Sequence, residues 1–416
     1  MAKRIFIGEE NFAELIASRS VYIDKTWQIR NFFNEDQNGP AAAKVMLFTR
    51  PRRFGKTLTM SMLKSFFEIN YADPADNSKA RNLFAELAIA KDQAFCKKHL
   101  GRYPVIAMSL KGIEGNGFQD ALEMFLSKIF NLYRKFDFLL ASSKLSREEK
   151  EAFSYIYNFT NIQNRNWDDP TLFTKAVSVI KNSLVNLTSY LYSEFSLRSV
   201  VLVDEYDVPL QKACVGGYYE KMLDAVMGMF ENVFKTNDYL EKGVVSGCLR
   251  ISHESIFTGI NNFSVYTVLD PRFSSFIGFT KSEVKALLSE QGLSSREAEV
   301  ISWYDGYNFG GEEMLCPWSV LNFCDLAKSN GEQIRPQNFW ANSSGNDIIE
   351  ICIKGYDENN SLILQSLLDG KTVEISPQEF ASYPDLTSAG DFETMLSLLL
   401  NTGYLTAVKQ LDDGKI

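Results

Sequence analysis

The 416-residue sequence predicts an α/β fold: a parallel sheet with a helical insertion, then a helical lid and a small, mainly helical C-terminal region. Three observations predict it. Val45-Met46-Leu47-Phe48 is an apolar run of the kind found in strands buried on both faces. It passes through a glycine-containing turn into helically spaced Leu58, Met62, Leu63, Phe66 and Phe67. Further short apolar runs recur at Tyr103–Leu110, Ser199–Val203, Gly243–Leu249 and, more weakly, Phe263–Leu269. The long segments between them carry helical patterns, as crossover connections do.

In chain order these elements divide the sequence into three parts. Residues 1–270 form the sheet domain, with an all-helical insertion at about 117–197 whose aromatic stripes read as core. Residues 271–345 read as a helical lid, carried by KSEVKALLSEQ and REAEVISWYDGY. Residues 346–416 offer helices at 346–354, 360–368 and 391–401.

Composition narrows the chemistry. With 45% hydrophobic and 23% charged residues the chain has ample core, and no apolar run reaches the ~20 residues of a membrane span. The N-terminus lacks the apolar core of a secretory signal, which predicts a cytoplasmic protein. Six scattered cysteines without a CxxC pair read as reduced thiols. Two histidines, His99 and His253, rule out a histidine-rich metal centre. What remains is chemistry by carboxylates, Lys, Arg, hydroxyls and an oxygen-bound metal. The net charge of -9 gives no support to nucleic acid as a partner.

The turn Arg50–Thr57 reads RPRRFGKT and fits the phosphate-binding pattern G-x-x-x-x-G-K-[ST], except that Arg50 stands where the leading glycine belongs. Gly55 lets backbone N–H groups close on phosphates at a helix N-terminus. Lys56 bridges β- and γ-phosphates, Thr57 offers a hydroxyl to Mg²⁺, and Arg52 and Arg53 add charge. Phe54 and Leu58 complete the expected nucleotide-binding stretch.

SVVLVDEYD is an apolar strand ending in Asp204 and Glu205, the Walker-B form. At the carboxyl end of a sheet Asp204 would hold Mg²⁺ and Glu205 would polarise the attacking water; the plainer alternative is two acids ending a strand. Asp207 either supports the metal shell or caps a helix ahead of Pro209. The strand Gly243–Leu249 runs into Arg250, placed either as a γ-phosphate sensor or as a surface salt-bridging residue. His253 reads as a helix-start residue, and Asn261 and Asn262 as nucleotide contacts or turn formers. No NKxD motif supports guanine.

Together these stretches resemble the AAA-ATPase-like family of bacterial and archaeal proteins. The resemblance runs through YIDKT (22–26), LFTRPRRFGKTLTMSMLKSFFE (47–68), YPVIAMSLKG (103–112), VVLVDEYDVPL (200–210) and GCLRISHESIFTGINNFSVYTVLD (247–270). It continues through FIGFTKSEVKALL, WYDGYNFG, PWSVLNF, FWANSSGND and NTGYLT. A leading arginine is itself a trait of that family. Cys316 stands where its members often have asparagine, and Pro317, Trp318 and Ser319 read as lid packing. Asp24 and Lys25 look like family positions near the nucleotide edge, or else a capped helix start with a solvated lysine.

The resemblance implies a P-loop ATPase using ATP and Mg²⁺. Members usually continue into a restriction-endonuclease-like domain, but no acid followed by a Glu-x-Lys pair on a strand occurs after Asn346. Glu283-Val284-Lys285 has the spacing inside a helical pattern. Nuclease activity is therefore not expected of this chain, read as truncated or naturally short. Two alternatives share the ATP site: a nucleotide-gated switch or scaffold with little turnover, and the motor or regulatory part of a DNA-processing system. Protein partners and a homo-oligomer are compatible with either.

Overall fold

The computed structural model describes residues 3–33, 43–162, 165–250, 263–330, 334–340, 358–377, 392–409 and 415–416. Five strands, β1 (Val45–Thr49), β2 (Val105–Ser109), β3 (Ser199–Asp204), β4 (Leu240–Gly247) and β5 (Phe263–Tyr266), form one parallel sheet in the order β2-β3-β4-β1-β5. All five strands expected from the apolar runs are present. No membrane-crossing helix occurs among the described residues.

The unbroken apolar runs are explained by what covers the sheet. Side chains alternate along a strand, so Val45 and Leu47 face one core while Met46 and Phe48 face another. In β3, Val201 and Val203 join the first core, Val200 and Leu202 the second. The first face is covered by the insertion, α5 (Phe118–Arg134), α6 (Arg147–Asn161) and α7 (Pro170–Phe195), together with α9 (Tyr219–Phe234), which follows the short α8 (Val208–Val215). The second is covered by α1 (Phe12–Ala17), α2 (Lys56–Phe67), α3 (Ser78–Phe84) and α4 (Gln93–His99). The aromatic stripes of the insertion are core, with Phe125, Tyr133 and Phe153 fully buried. His99 is likewise buried, its Nδ1 2.6 Å from the Tyr103 hydroxyl.

The segment after Asp270, expected to be helical, contains α10 (Lys281–Glu290), α11 (Glu297–Tyr304) and α12 (Pro317–Asn330). It also holds an antiparallel sheet of β6 (Phe279–Thr280), β7 (Tyr307–Phe309) and β8 (Glu312–Leu315), in the order β6-β8-β7. Strands this short carry no period-2 signal, so sequence reading passed over them. Glu283 is the capping-box residue of α10, which removes any strand-borne nuclease reading of Glu283-Val284-Lys285. A third core joins these helices to the N-terminal segment: Ile5 and Val21 pack with Val284, Leu287, Val300 and Phe323. Two further helices, Glu358–Leu368 and Phe392–Thr402, match the expected positions, while the candidate at 346–354 lies outside the described residues.

Phe66 is fully buried between Phe67, Phe84 and Phe95, with ring centroids at 5.2, 5.2 and 5.9 Å. Phe66→Ala should lower unfolding free energy by about 3–5 kcal/mol, measured by chemical denaturation.

Candidate functional site

β4 lies between β1 and β3, so the carboxyl ends of all three strands come side by side. The turn after β1 and the acid pair after β3 thereby face one another across the end of β4. Thr49 pairs in register with Gly247, and Arg50 N donates to the Gly247 carbonyl at 3.1 Å. A cavity of about 410 Å³ opens there, lined by Arg52–Thr59, Lys111, Glu205, Asp207, Gln211 and Cys248. Its other wall is apolar, built from Phe6, Tyr22 and Ile23 of the N-terminal segment and from Phe276, Phe279, Pro317 and Trp318.

The loop has the conformation its glycine permits. Gly55 sits at φ +95° ahead of α2, a region L-residues avoid. Arg53 (φ +69°) and Glu205 (φ +52°) are non-glycine residues in the left-handed region, and both line the cavity. Such backbone costs about 1–3 kcal/mol per residue and clusters where geometry matters for function. The Lys56 ammonium donates to the carbonyls of Arg50 and Pro51, each at 2.9 Å, and lies 3.5 Å from Cys248 Sγ.

The acids differ in role. Asp204 Oδ1 accepts from the Ser246 hydroxyl at the end of β4 and from Glu205 N at 3.0 Å. Its Oδ2 is buried without a hydrogen-bond partner. Burial, reinforced by the neighbouring Asp204 charge, raises the Glu205 carboxyl above the ordinary range, with Lys56 and Lys111 opposing. Asp207 neither caps α8 nor is left open to a metal through Oδ2. That oxygen accepts from Cys248 N at 2.8 Å and Leu249 N at 3.1 Å, pinning the chain just past β4. Gly247 makes this approach possible, because a Cβ there would stand 2.6 Å from Tyr206 and 2.8 Å from Asp207 Oδ1.

Arg50 is turned inward. Wholly buried, its guanidinium donates to the carbonyls of Thr49 (2.8 Å), Tyr266 (2.9 Å), Thr267 (2.9 Å) and Phe273 (3.0 Å) and rests over the Phe309 ring at 5.1 Å. Burial lowers it to about 10, so it stays charged at neutral pH. Phe54 is buried against Tyr307 and Phe309, at 4.9 and 5.2 Å. Arg52 Nη2 donates to Gln211 at 2.8 Å, and Arg53 lies over the Trp318 ring at 4.3 Å. Two loop carbonyls are held from the far segment: Trp340 Nε1 donates to Arg52 O at 3.3 Å, and Cys316 Sγ approaches Arg53 O at 3.6 Å.

Of the residues expected at the site, Arg52, Arg53, Phe54, Gly55, Lys56, Thr57, Leu58 and Glu205 all line the cavity, and Asp204 lies beside it through Glu205 N. Arg250 is half-buried beyond β4 and does not line the cavity; Ser246 and Cys248 are the β4-end residues that reach Asp204 and Lys56. His253, Asn261 and Asn262 lie outside the described residues. Asp24 Oδ1 accepts from Thr26 N at 2.8 Å and Oδ2 from Ala88 N at 2.6 Å, a structural tie. Lys25 lines the cavity but is not solvated: it bonds Glu283 at 2.6 Å and Ser275 O at 2.7 Å. Lys111, Trp318 and the Phe6–Glu10 stretch were missed, since only tertiary contact brings them here. Trp318, expected to pack the lid alone, lines the cavity as well.

A family model described as "Predicted AAA-ATPase" matches residues 6–257. This chain belongs to that family. Membership supports an ATP-binding ATPase in general terms. The chain is also 24% identical over 321 residues to "Uncharacterized protein in vnfD 5'region" of Azotobacter chroococcum mcd 1, a match covering 77% of this chain and 51% of the relative. It thus spans about half that relative's length. No solved structure matches it.

The donor set suits Mg²⁺. A hard, hydrated cation needs few protein oxygens besides phosphates and water, and the buried, unpartnered Asp204 Oδ2 and the Thr57 hydroxyl at the start of α2 are of that kind. Among the described residues no cluster of three His, Cys, Asp or Glu side chains would hold a metal unaided.

Replacing Arg50 by the glycine of the usual pattern removes a buried donor from four carbonyls, of which those of Thr267 and Phe273 keep a backbone N–H. Arg50→Gly should cost about 3 kcal/mol or more of stability in denaturant titration, and Arg50→Lys should recover only part of it, lacking the planar fork.

Proposed function

We propose that the chain binds ATP with Mg²⁺ and hydrolyses it to ADP and phosphate. The supporting observation is the meeting of Lys56, Thr57 and Glu205 at one cavity that continues into an apolar slot, with the unpartnered Asp204 Oδ2 buried beside it. The triphosphate would lie along the N-terminus of α2, with the base between the N-terminal segment and Trp318. Lys56 exchanges its loop carbonyls for β- and γ-phosphate oxygens. Asp204 and Thr57 would hold Mg²⁺, which when bound neutralises charge on those oxygens.

Glu205 accepts a hydrogen bond from the attacking water and aligns it with the γ-phosphorus. The water oxygen–phosphorus bond forms as the bond from phosphorus to the β–γ bridging oxygen breaks. The proton leaves through Glu205, and ADP departs. The same loop is gripped from the far segment by Trp340 and Cys316, which favours a second reading as a nucleotide-gated switch with slow turnover. Steady-state turnover measured beside the ATP dissociation constant separates the two: tight binding with negligible turnover identifies the switch.

Lys56→Ala should weaken ATP binding and reduce phosphate release at least about 10²-fold, by analogy with loss of one preorganised charge donor. Glu205→Gln should retain ATP while slowing release about 10²–10⁴-fold. Unchanged release in both variants sinks the hydrolysis reading. The raised Glu205 carboxyl is protonated at higher pH than an exposed glutamate, so kcat/KM should fall early on acidification. That acid limb should flatten in Glu205→Gln, as a pH profile of phosphate release will show.

A further inference from the structure

A second cavity, of about 440 Å³, shares no lining residue with the first. Trp303, Asp305, Tyr307, Trp340, Tyr404 and Thr406 contribute to it. These residues come from WYDGYNFG, FWANSSGND and NTGYLT, none of which lines the first cavity. We propose that this pocket takes the arginine side chain of a partner polypeptide.

Aromatic surface is the first argument. Trp303 is 57% exposed and Tyr404 39%, although both line a concave site. Trp340 stands edge-on to Tyr404, with centroids 4.8 Å apart. Ring faces presented to solvent in a cavity attract cations, and a planar, weakly hydrated guanidinium gains more from stacking than an ammonium.

Charge is the second argument. Asp305 lines the pocket, and its Oδ2 lies 2.7 Å from the Lys281 ammonium, which Glu313 Oε2, outside the lining, shares at 2.7 Å; the trio keeps a net negative charge. Asp305 Oδ1 accepts only from Gly306 N, at 2.9 Å, among the bonds recorded for it. A carboxylate beside aromatic faces matches the fork of arginine. The same local surplus disfavours a phosphate-bearing ligand at this pocket. The volume exceeds one side chain and leaves room for the flanking peptide.

The pocket also touches the P-loop. Trp340 Nε1 donates to Arg52 O at 3.3 Å, and a Cβ on Gly403 would stand 2.8 Å from Pro51 Cβ. Tyr307 packs on Phe54 at 4.9 Å. A side chain seated against the exposed side of Trp340 and Tyr404 therefore bears on the wall on which residues 51–54 rest. This coupling, unlike the pocket itself, rests on the nucleotide reading above.

The test uses the full chain and an acetylated Gly-Arg-Gly amide as probe, followed by tryptophan fluorescence. The peptide should bind at millimolar or lower concentration, at least about tenfold tighter than its citrulline counterpart, a difference of about 1.4 kcal/mol. Trp303→Ala and Asp305→Asn, at exposed or isosteric positions, should each weaken it at least about tenfold with circular dichroism unchanged. Equal binding of the arginine and citrulline peptides, no binding of either, or undiminished affinity in both variants overturns the proposal. So does tighter binding of a short oligonucleotide at the same residues. Saturating peptide should shift the ATP dissociation constant about fivefold. An unchanged constant removes the coupling, whereas failure of ATP to bind at all refutes the nucleotide reading and leaves the peptide result standing.

Discussion

The buried guanidinium of Arg50 is the constraint on which the loop geometry depends. One side chain satisfies four carbonyls, from the end of β1, the end of β5 and the segment that follows. The Thr267 and Phe273 carbonyls also accept from Asp270 N at 3.2 Å and Phe276 N at 3.1 Å, so there the guanidinium reinforces turns already closed; a buried acceptor left with no donor at all costs about 1–3 kcal/mol. Because the guanidinium also lies over Phe309, the sheet edge, the loop and the small antiparallel sheet are joined through one charged group. An ordinary P-loop uses glycine at this position. Here the sequence places its largest cation there and directs it inward, away from the cavity.

That inward turn has consequences for the rest of the loop. With Arg50 anchored and Phe54 buried among Tyr307 and Phe309, the backbone between them is held at both ends. Arg53 and Gly55 then take left-handed conformations, and Lys56 bends back over the loop carbonyls. The acid side is fixed as firmly. Ser246 and Glu205 N hold one oxygen of Asp204, and Asp207 fastens the chain beyond β4, so Oδ2 of Asp204 is the oxygen left to act.

The N-terminal segment ties the two halves of the molecule together. Ile5 and Val21 belong to the core of α10–α12, while Phe12 packs under α2. Lys25 adds a half-buried ion pair to Glu283 at the start of α10. The apolar wall of the cavity is therefore shared: Tyr22, Phe276 and Trp318 pack with the core on the sheet's second face, Ile23 and Phe279 with the core of α10–α12.

Local sequence determined a good deal. Five apolar runs declared the strands, because a parallel strand covered on both faces has no polar side to show, and helical spacing declared α2, α5, α6 and α7. Gly55-Lys56-Thr57 and Asp204-Glu205 were legible because their chemistry needs those residues at those spacings. Only the tertiary structure decided the rest. The direction of Arg50, the anchoring role of Asp207, the arrival of Ser246 at Asp204 and of Cys248 at Lys56, and the presence of Trp318 and Lys111 at the cavity all rest on partners distant in the chain. So do the strands of the small sheet, too short to carry a period. A side chain's identity is written in the sequence, but the direction it faces is set by whichever buried donors and acceptors folding leaves for it to satisfy.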